Sequence, residues 1–188
     1  MADRITTRPI TADEVERREA EDGFAREIVN GEWVEEIQVA GQKHSLIAGR
    51  LYMHLMNFVT DKKLGQVYFD GLNYVLEGSP GKIVTMRVPD ISFVAEARVD
   101  RNLKSYYYLA PDLAIEIISP SERPPTTHGK IADYLKHGTK QVWVIDTEAR
   151  QVTVHVPESD SQFYGIDDTL PGSDVLPGFE LPISTIFE

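Results

Sequence analysis

The chain has 188 residues, 41% hydrophobic and 26% charged, which suits a soluble globular domain with one substantial core. It has no cysteine, no apolar run long enough to cross a bilayer and no signal-peptide h-region at its start. Disulfides and thiolate metal sites are therefore excluded, and a cytoplasmic location is expected. Thirty acidic against nineteen basic side chains give a net charge of −11, which excludes a uniformly basic nucleic-acid-binding surface.

The first third of the chain carries two helical patterns with an extended pattern between them. Thr11 and Glu14 form a capping box, which predicts a short helix from residue 11 to about 20. Asn30-Gly31 separates two apolar runs and predicts a β-hairpin, because both residues tolerate positive φ. Residues 42 to about 60 place apolar side chains at three- and four-residue spacing, which predicts the longest helix.

Short apolar runs in the middle of the chain predict strands at residues 66–69, 73–76, 82–88, 90–95 and 113–118. The polar segment 98–108 between the last two runs predicts a loop or a short helix. A helix at 130–137, a second hairpin at 141–146 and 151–156, and an irregularly docked tail from residue 170 follow. Together these patterns predict one α+β domain over residues 1–188, with a mixed β-sheet flanked by helices.

Two of the predicted strands contain an acidic residue within an otherwise mainly apolar run. Asp90 lies in the run that begins at Pro89, and Glu116 lies in the run that begins at Pro111. Desolvating an unpaired carboxylate is costly, so acids in such positions usually bind a positive group. Two neighbouring strands that each supply one carboxylate would form a site for Mg²⁺ or Mn²⁺. Alternatively, each acid is structural and satisfied by a local hydrogen bond or salt bridge.

A series of short motifs extends over most of the chain. They are Glu27–Glu32, His44, Pro89-Asp90, Pro111–Ser121, Lys130 with Tyr134 and Gly138, Val142–Asp146, and Leu176–Phe179. Each motif is weak alone, but in this order the chain resembles the Uma family of endonucleases, within the PD-(D/E)xK restriction-endonuclease-like superfamily. The resemblance implies a restriction-endonuclease-like core with an N-terminal β-hairpin. It also implies an endonuclease that hydrolyses phosphodiester bonds of nucleic acid, with DNA the favoured substrate.

The resemblance also assigns roles to individual residues. It implies that Asp90 and Glu116 are catalytic and bind Mg²⁺ or Mn²⁺ together with the backbone carbonyl of Ile117. The superfamily places a lysine two residues after the second acid, where this chain has Ile118. Lys130 is the expected replacement, because it lies one turn before Tyr134 and at the start of a predicted helix, where an anionic ligand is favoured.

Three further features remain open between a site role and a structural role. His44 lies on the apolar face of the long helix, where it is either a hydrogen-bonded core residue or a site residue. Glu36 is either an additional acid of the site or half of a solvated pair with Glu35. The tyrosines at 106–108, preceded by Arg98, Arg101 and Lys104, form either a nucleic-acid contact or ordinary packing.

The alternative function is a catalytically silent nuclease-like scaffold that binds a protein partner or a small ligand. Ile118 at the lysine position and the charge of −11 favour this alternative. If the chain is a nuclease that cuts both strands, a homodimer is expected, since two identical sites across a two-fold axis suit a duplex.

Overall fold

The computed structural model describes residues 8–34, 41–69, 72–102, 106–118 and 124–188. Its helices are α1 (Ala12–Asp22), α2 (Gln42–Lys62), α3 (Pro124–Lys136) and α4 (Ser184–Phe187). The strands are β1 (Ile28–Val29), β2 (Glu32–Trp33), β3 (Gly65–Phe69), β4 (Asn73–Ser79), β5 (Lys82–Arg87), β6 (Ile91–Ala95), β7 (Tyr106–Tyr107), β8 (Leu113–Ile118), β9 (Gln141–Asp146), β10 (Gln151–His155), β11 (Gln162–Tyr164), β12 (Thr169–Pro171) and β13 (Glu180–Pro182). These elements form an α+β fold of mixed sheets flanked by helices, as the sequence predicts.

The larger sheet has the strand order β11-β10-β9-β8-β6-β3. Strands β8 and β9 are parallel, because helix α3 returns the chain to the same end of the sheet between them. Strand β8 alternates in its contacts: Leu113, Ile115 and Ile117 pack in the core that α2 covers, whereas Ala114 packs with Ile131 and Tyr134 of α3. Glu116 shares the face of Ala114, so the alternation directs its side chain towards α3.

The smaller sheet has the order β2-β1-β5-β4-β7 and begins with the predicted hairpin. Asn30 and Gly31 have φ values of 53° and 76°, as a tight two-residue turn requires. Strand β1 pairs with β5 through Ile28 and Met86, which brings Glu27 next to Arg87 and Val88. This non-local pairing connects the hairpin to the region of the predicted site.

Three local predictions require correction. Helix α3 begins at Pro124 and not at Lys130, so Lys130 lies in the second turn and not at the helix N-terminus. Tyr106 and Tyr107 form strand β7, which pairs with β4 in parallel, and not a loop or helix. The tail from Leu170 is more regular than expected, since β12 and β13 pair and α4 ends the chain. No helix in the described ranges is both long and apolar enough to span a membrane.

Asp112 is a buried carboxylate that holds three segments together. Its Oδ2 accepts from the Ala95 backbone N–H at 2.9 Å and lies 2.8 Å from Arg98 Nη1, and its Oδ1 lies 2.9 Å from Lys140 Nζ. Burial opposes ionisation of Asp112, but these three donors outweigh that effect and hold its pKa below the ordinary value. Asp112 therefore has a tertiary role, one residue before β8.

Replacing Asp112 by Asn should lower the free energy of unfolding by about 2 kcal/mol at pH 7, since hydrogen bonds to a charged group are lost. Because the native pKa of Asp112 is depressed, its contribution is present above the unfolded-state pKa of about 4 and is lost as the pH falls below it. Urea unfolding of wild type and D112N at pH 7 and pH 3 should show the difference shrink at pH 3. An equal difference at both pH values would contradict this account.

Candidate active site

The two acids predicted from their strands lie next to each other. Ile91 of β6 pairs with Ile115 of β8 in antiparallel register, so Asp90, one residue before Ile91, stands opposite Glu116, one residue after Ile115. The Asp90 carboxylate accepts from the backbone N–H of Ile117 at 2.6 Å. The charge of Asp90 also contributes to raising the pKa of Glu116. Adjacent strands therefore deliver both carboxylates to one place.

Glu116 is buried and both of its carboxylate oxygens have partners on α3. Lys130 Nζ lies 2.8 Å from Glu116 Oε2, and the Tyr134 hydroxyl donates to Glu116 Oε1 at 2.9 Å. Burial raises the pKa of Glu116 to about 8, with Asp90 and Glu27 acting in the same direction and Lys130 opposing them. The site therefore concentrates more negative charge than Lys130 alone offsets.

Lys130 itself is buried but charged. Burial alone would lower the pKa of its amine, yet the carboxylates of Glu116 and Glu27 outweigh burial and raise that pKa above the ordinary value. Tyr134 lies one turn further along α3, and burial together with the same two carboxylates raises the pKa of its hydroxyl. Both α3 side chains therefore keep their protons and act as donors to Glu116.

Glu27 is a site residue that the sequence patterns did not single out. Its Oε1 lies 3.5 Å from Lys130 Nζ and accepts from the Val88 backbone N–H at 3.2 Å, while its Oε2 lies 2.7 Å from Arg87. The residue stands one position before β1, and its proximity to Lys130 depends on the pairing of β1 with β5. The sequence signal that could have identified Glu27 is its position as the first residue of the Glu27–Glu32 motif.

Arg87 joins Glu27 to helix α3. The guanidinium is buried and donates through Nε and Nη2 to Asp133 Oδ2 at 2.9 and 2.6 Å, besides its contact with Glu27. Asp133 stands three residues after Lys130, one turn along the same helix. The smaller sheet and α3 are thereby linked by a charged bridge beside Lys130.

His44 lies against the other side of Asp90. The residue is in the first turn of α2, and its Nε2 lies 3.3 Å from Asp90 Oδ1, with the imidazole 16% exposed. Of the two interpretations left open by the sequence, this position favours a site role. Its contact restrains the Asp90 oxygen that the Ile117 N–H does not bind.

Those of the remaining sequence candidates that the structure describes lie outside this cluster. Glu36 and Lys104 lie outside the described residues, and their roles stay predictions from the sequence. Tyr106 and Tyr107 are buried, and Arg98 is bound to Asp112, which favours the packing interpretation of that segment. Ile118 packs with the apolar cluster around Tyr134, so a side chain at this position does reach the α3 side of the sheet.

The charge of the cluster suits a divalent cation. The four carboxyl groups of Glu27, Asp90, Glu116 and Asp133 outnumber the two cations, Lys130 and Arg87. Because the pKa of Glu116 is raised to about 8, the full excess of two negative charges, before any contribution from His44, is present only above that pH or when a cation displaces the proton of Glu116. Among the described residues, no three His, Asp or Glu side chains form a group that could hold a metal ion. A metal here would rest on two carboxylates with water and a substrate phosphate completing its shell, which is the arrangement Mg²⁺ favours.

Comparison with known proteins places these residues in a family context. A family model named Uma2, described as "Putative restriction endonuclease", matches residues 12–184. A crystal structure described as a "putative nuclease belonging to DUF820" from Anabaena variabilis ATCC 29413 is similar at 26% identity and a TM-score of 0.79. The similarity covers 95% of this chain and 98% of that one. No curated protein matches the chain.

Replacing Tyr134 by Phe should destabilise the protein, because Glu116 Oε1 would lose its donor in a buried site. The expected loss is about 1–3 kcal/mol in the free energy of unfolding, measured by urea denaturation. Tyr164→Phe is the matched control, since the Tyr164 hydroxyl bonds Gln162 at an exposed position, and it should change stability by less than about 0.5 kcal/mol. Equal effects of the two variants would show that the contact with Glu116 contributes nothing.

Proposed function

This chain belongs to the Uma2 family, and we propose that it is a metal-dependent endonuclease that hydrolyses phosphodiester bonds of DNA. The observation that carries the proposal is the 2.8 Å contact between Lys130 and Glu116, beside Asp90. Through this contact a lysine from α3 lies next to the acidic pair, although the position two residues after Glu116, where the superfamily has its lysine, is Ile118. The similar solved structure is itself described as a "putative nuclease", which supports the same conclusion.

The residues of the site fall into two groups, one that would bind the metal and one that stabilises negative charge on the substrate. Asp90, Glu116 and the backbone carbonyl of Ile117 would hold Mg²⁺ or Mn²⁺. When bound, the metal lowers the pKa of a coordinated water and polarises the scissile phosphate. Lys130 supplies an ammonium that stabilises negative charge developing on the phosphate oxygens. His44 and the Ile117 N–H hold Asp90, and the Tyr134 hydroxyl holds Glu116, so the carboxylates are oriented in advance.

The scaffold alternative is weakened by the position of Lys130. It was favoured because the motif lysine is replaced by Ile118, and the structure brings another lysine to the acidic pair. The net charge of −11 still limits substrate contacts to local features of the surface and to the metal. A homodimer and a cytoplasmic location stay predictions from the sequence.

Replacing Asp90 by Asn should reduce Mg²⁺-dependent cleavage of plasmid DNA by at least about 100-fold, since a charged metal ligand is lost. Nicking and linearisation are followed on agarose gels with Mg²⁺, Mn²⁺ or EDTA present. Asp61→Asn, at an exposed position near the end of α2, is the control and should cleave like wild type. If wild type leaves DNA and RNA substrates intact with either metal, the nuclease proposal fails and the scaffold is favoured.

Lys130→Met should separate metal binding from cleavage. The variant removes the ammonium but keeps Asp90 and Glu116, so Mn²⁺ binding by calorimetry should persist while cleavage falls by about 100-fold or more. Glu116→Ala should lose both properties. Circular dichroism checks that Lys130→Met is folded. If the folded variant does not bind Mn²⁺ in the calorimeter, this assignment of roles is contradicted.

A further inference from the structure

Lys130 has two carboxylate neighbours that are held in different ways. Its Nζ is 2.8 Å from Glu116 Oε2 and 3.5 Å from Glu27 Oε1. Glu116 takes its other partner, Tyr134, from the same helix as Lys130. Glu27 is instead fixed from the smaller sheet, by Arg87 at 2.7 Å and the Val88 N–H at 3.2 Å. The position of Glu27 is thus set without Lys130.

A cation bound to Glu116 would change the surroundings of Lys130. The cation would occupy carboxylate oxygens that now accept from Nζ, and it would repel the ammonium. The Lys130 side chain is only 6% exposed, so an ammonium left without a carboxylate would be costly in that position. Glu27 is the second carboxylate already near Nζ, and an ammonium has three donors to share between acceptors.

We propose that Glu27 is a positioning residue that keeps the Lys130 ammonium at the site when a metal ion takes the oxygens of Glu116. This inference rests on the proposed function. Without Glu27, Lys130 would remain paired with Glu116 in competition with the metal, or would leave the site once the metal binds. With it, the ammonium moves a short distance and stays beside Asp90 and the substrate phosphate.

Arg87 makes Glu27 suitable for this role. Its Nη1 binds Glu27 and its Nε and Nη2 bind Asp133, one turn along α3 from Lys130. The bridge fixes the distance between the strand that carries Glu27 and the helix that carries Lys130. Because Arg87 and the Val88 N–H already orient Glu27, little side-chain entropy is lost when Lys130 moves onto it.

The structural test is a crystal structure of Glu116→Gln. In this variant the Tyr134 hydroxyl should donate to the carbonyl oxygen of the introduced side-chain amide. The amide NH₂ then points towards Lys130 Nζ, and because both groups are hydrogen-bond donors, Lys130 loses its acceptor at this position. Lys130 Nζ should then lie within hydrogen-bond distance of Glu27, and in the double variant Glu27→Gln with Glu116→Gln it should leave the site. Nζ released to solvent in Glu116→Gln, with Glu27 unchanged on Arg87, would overturn the proposal.

Wild-type crystals soaked in Mn²⁺ pose the same question if Glu116→Gln does not fold. Nζ should be closer to Glu27 than to Glu116 in the soaked crystals, and the opposite order would count against the proposal. Absence of both Mn²⁺ binding and cleavage in wild type would count against the proposed function. The position of Lys130 Nζ in Glu116→Gln tests the role of Glu27 independently, because that crystal structure requires neither Mn²⁺ binding nor cleavage.

A kinetic double-mutant cycle tests whether Glu27 acts through Lys130. Glu27→Gln should lower kcat by about 10-fold or more and leave KM within about 3-fold, because Lys130 acts on the reacting phosphate. In the Lys130→Met background the same substitution should have no further effect on kcat or Mn²⁺ affinity. Effects that persist there would mean that Glu27 acts on the metal or the fold directly, and the proposal would be wrong.

The control is Glu77→Gln, which removes another carboxylate near α3. Glu77 is exposed and lies 3.8 Å from Lys136 and 3.5 Å from His137, at the C-terminal end of α3. Loss of a surface contact there should leave kcat, KM and the Mn²⁺ affinity unchanged. A decrease in kcat equal to that of Glu27→Gln would mean that any weakening of α3 docking reproduces the effect, which would overturn the proposal.

Discussion

The buried contact of Glu116 with Lys130 and Tyr134 is the interaction on which the rest of the site depends. A carboxylate in the middle of β8, 2% exposed, is tolerated only where donors meet both of its oxygens. Those donors stand four residues apart on one face of α3, so the helix must dock with that face against β8. The same docking returns the chain to β9, parallel to β8. One desolvated acid thus connects the sheet topology to the chemistry of the site.

Two separate parts of the fold meet at this point. The larger sheet supplies Asp90 and Glu116, and the hairpin on the smaller sheet supplies Glu27. Arg87 joins the two parts by binding Glu27 on one side and Asp133 of α3 on the other. The acids therefore come together where Glu116 is buried and Asp90 and Glu27 are only partly exposed to solvent. Negative charge is thus concentrated where its attraction for a cation is weakly screened. An acidic overall charge is compatible with such a site, since the attraction for a metal is local.

The acidic pair was predictable because its signal is local. An acid within a short apolar run is visible in the sequence, and the pairing of neighbouring strands then brings Asp90 and Glu116 together. Lys130 was expected at the site from its place one turn before Tyr134 and at the start of a predicted helix, but that helix start was wrong, since Pro124 and Pro125 already belong to α3. Glu27 escaped the sequence patterns because its role requires β1 to pair with β5, about sixty residues later in the chain, and no periodicity encodes that register.

In this chain the lysine of the site stands on helix α3 and not on strand β8, and this difference affects the packing between the two. Residue 118 is two positions after Glu116, so a lysine there would point to the same side of β8 and depend on the strand alone. Ile118 instead packs with the apolar cluster around Tyr134 and strengthens the contact between β8 and α3. The ammonium then comes from the helix, where it meets Glu116 from the larger sheet and Glu27 from the smaller one.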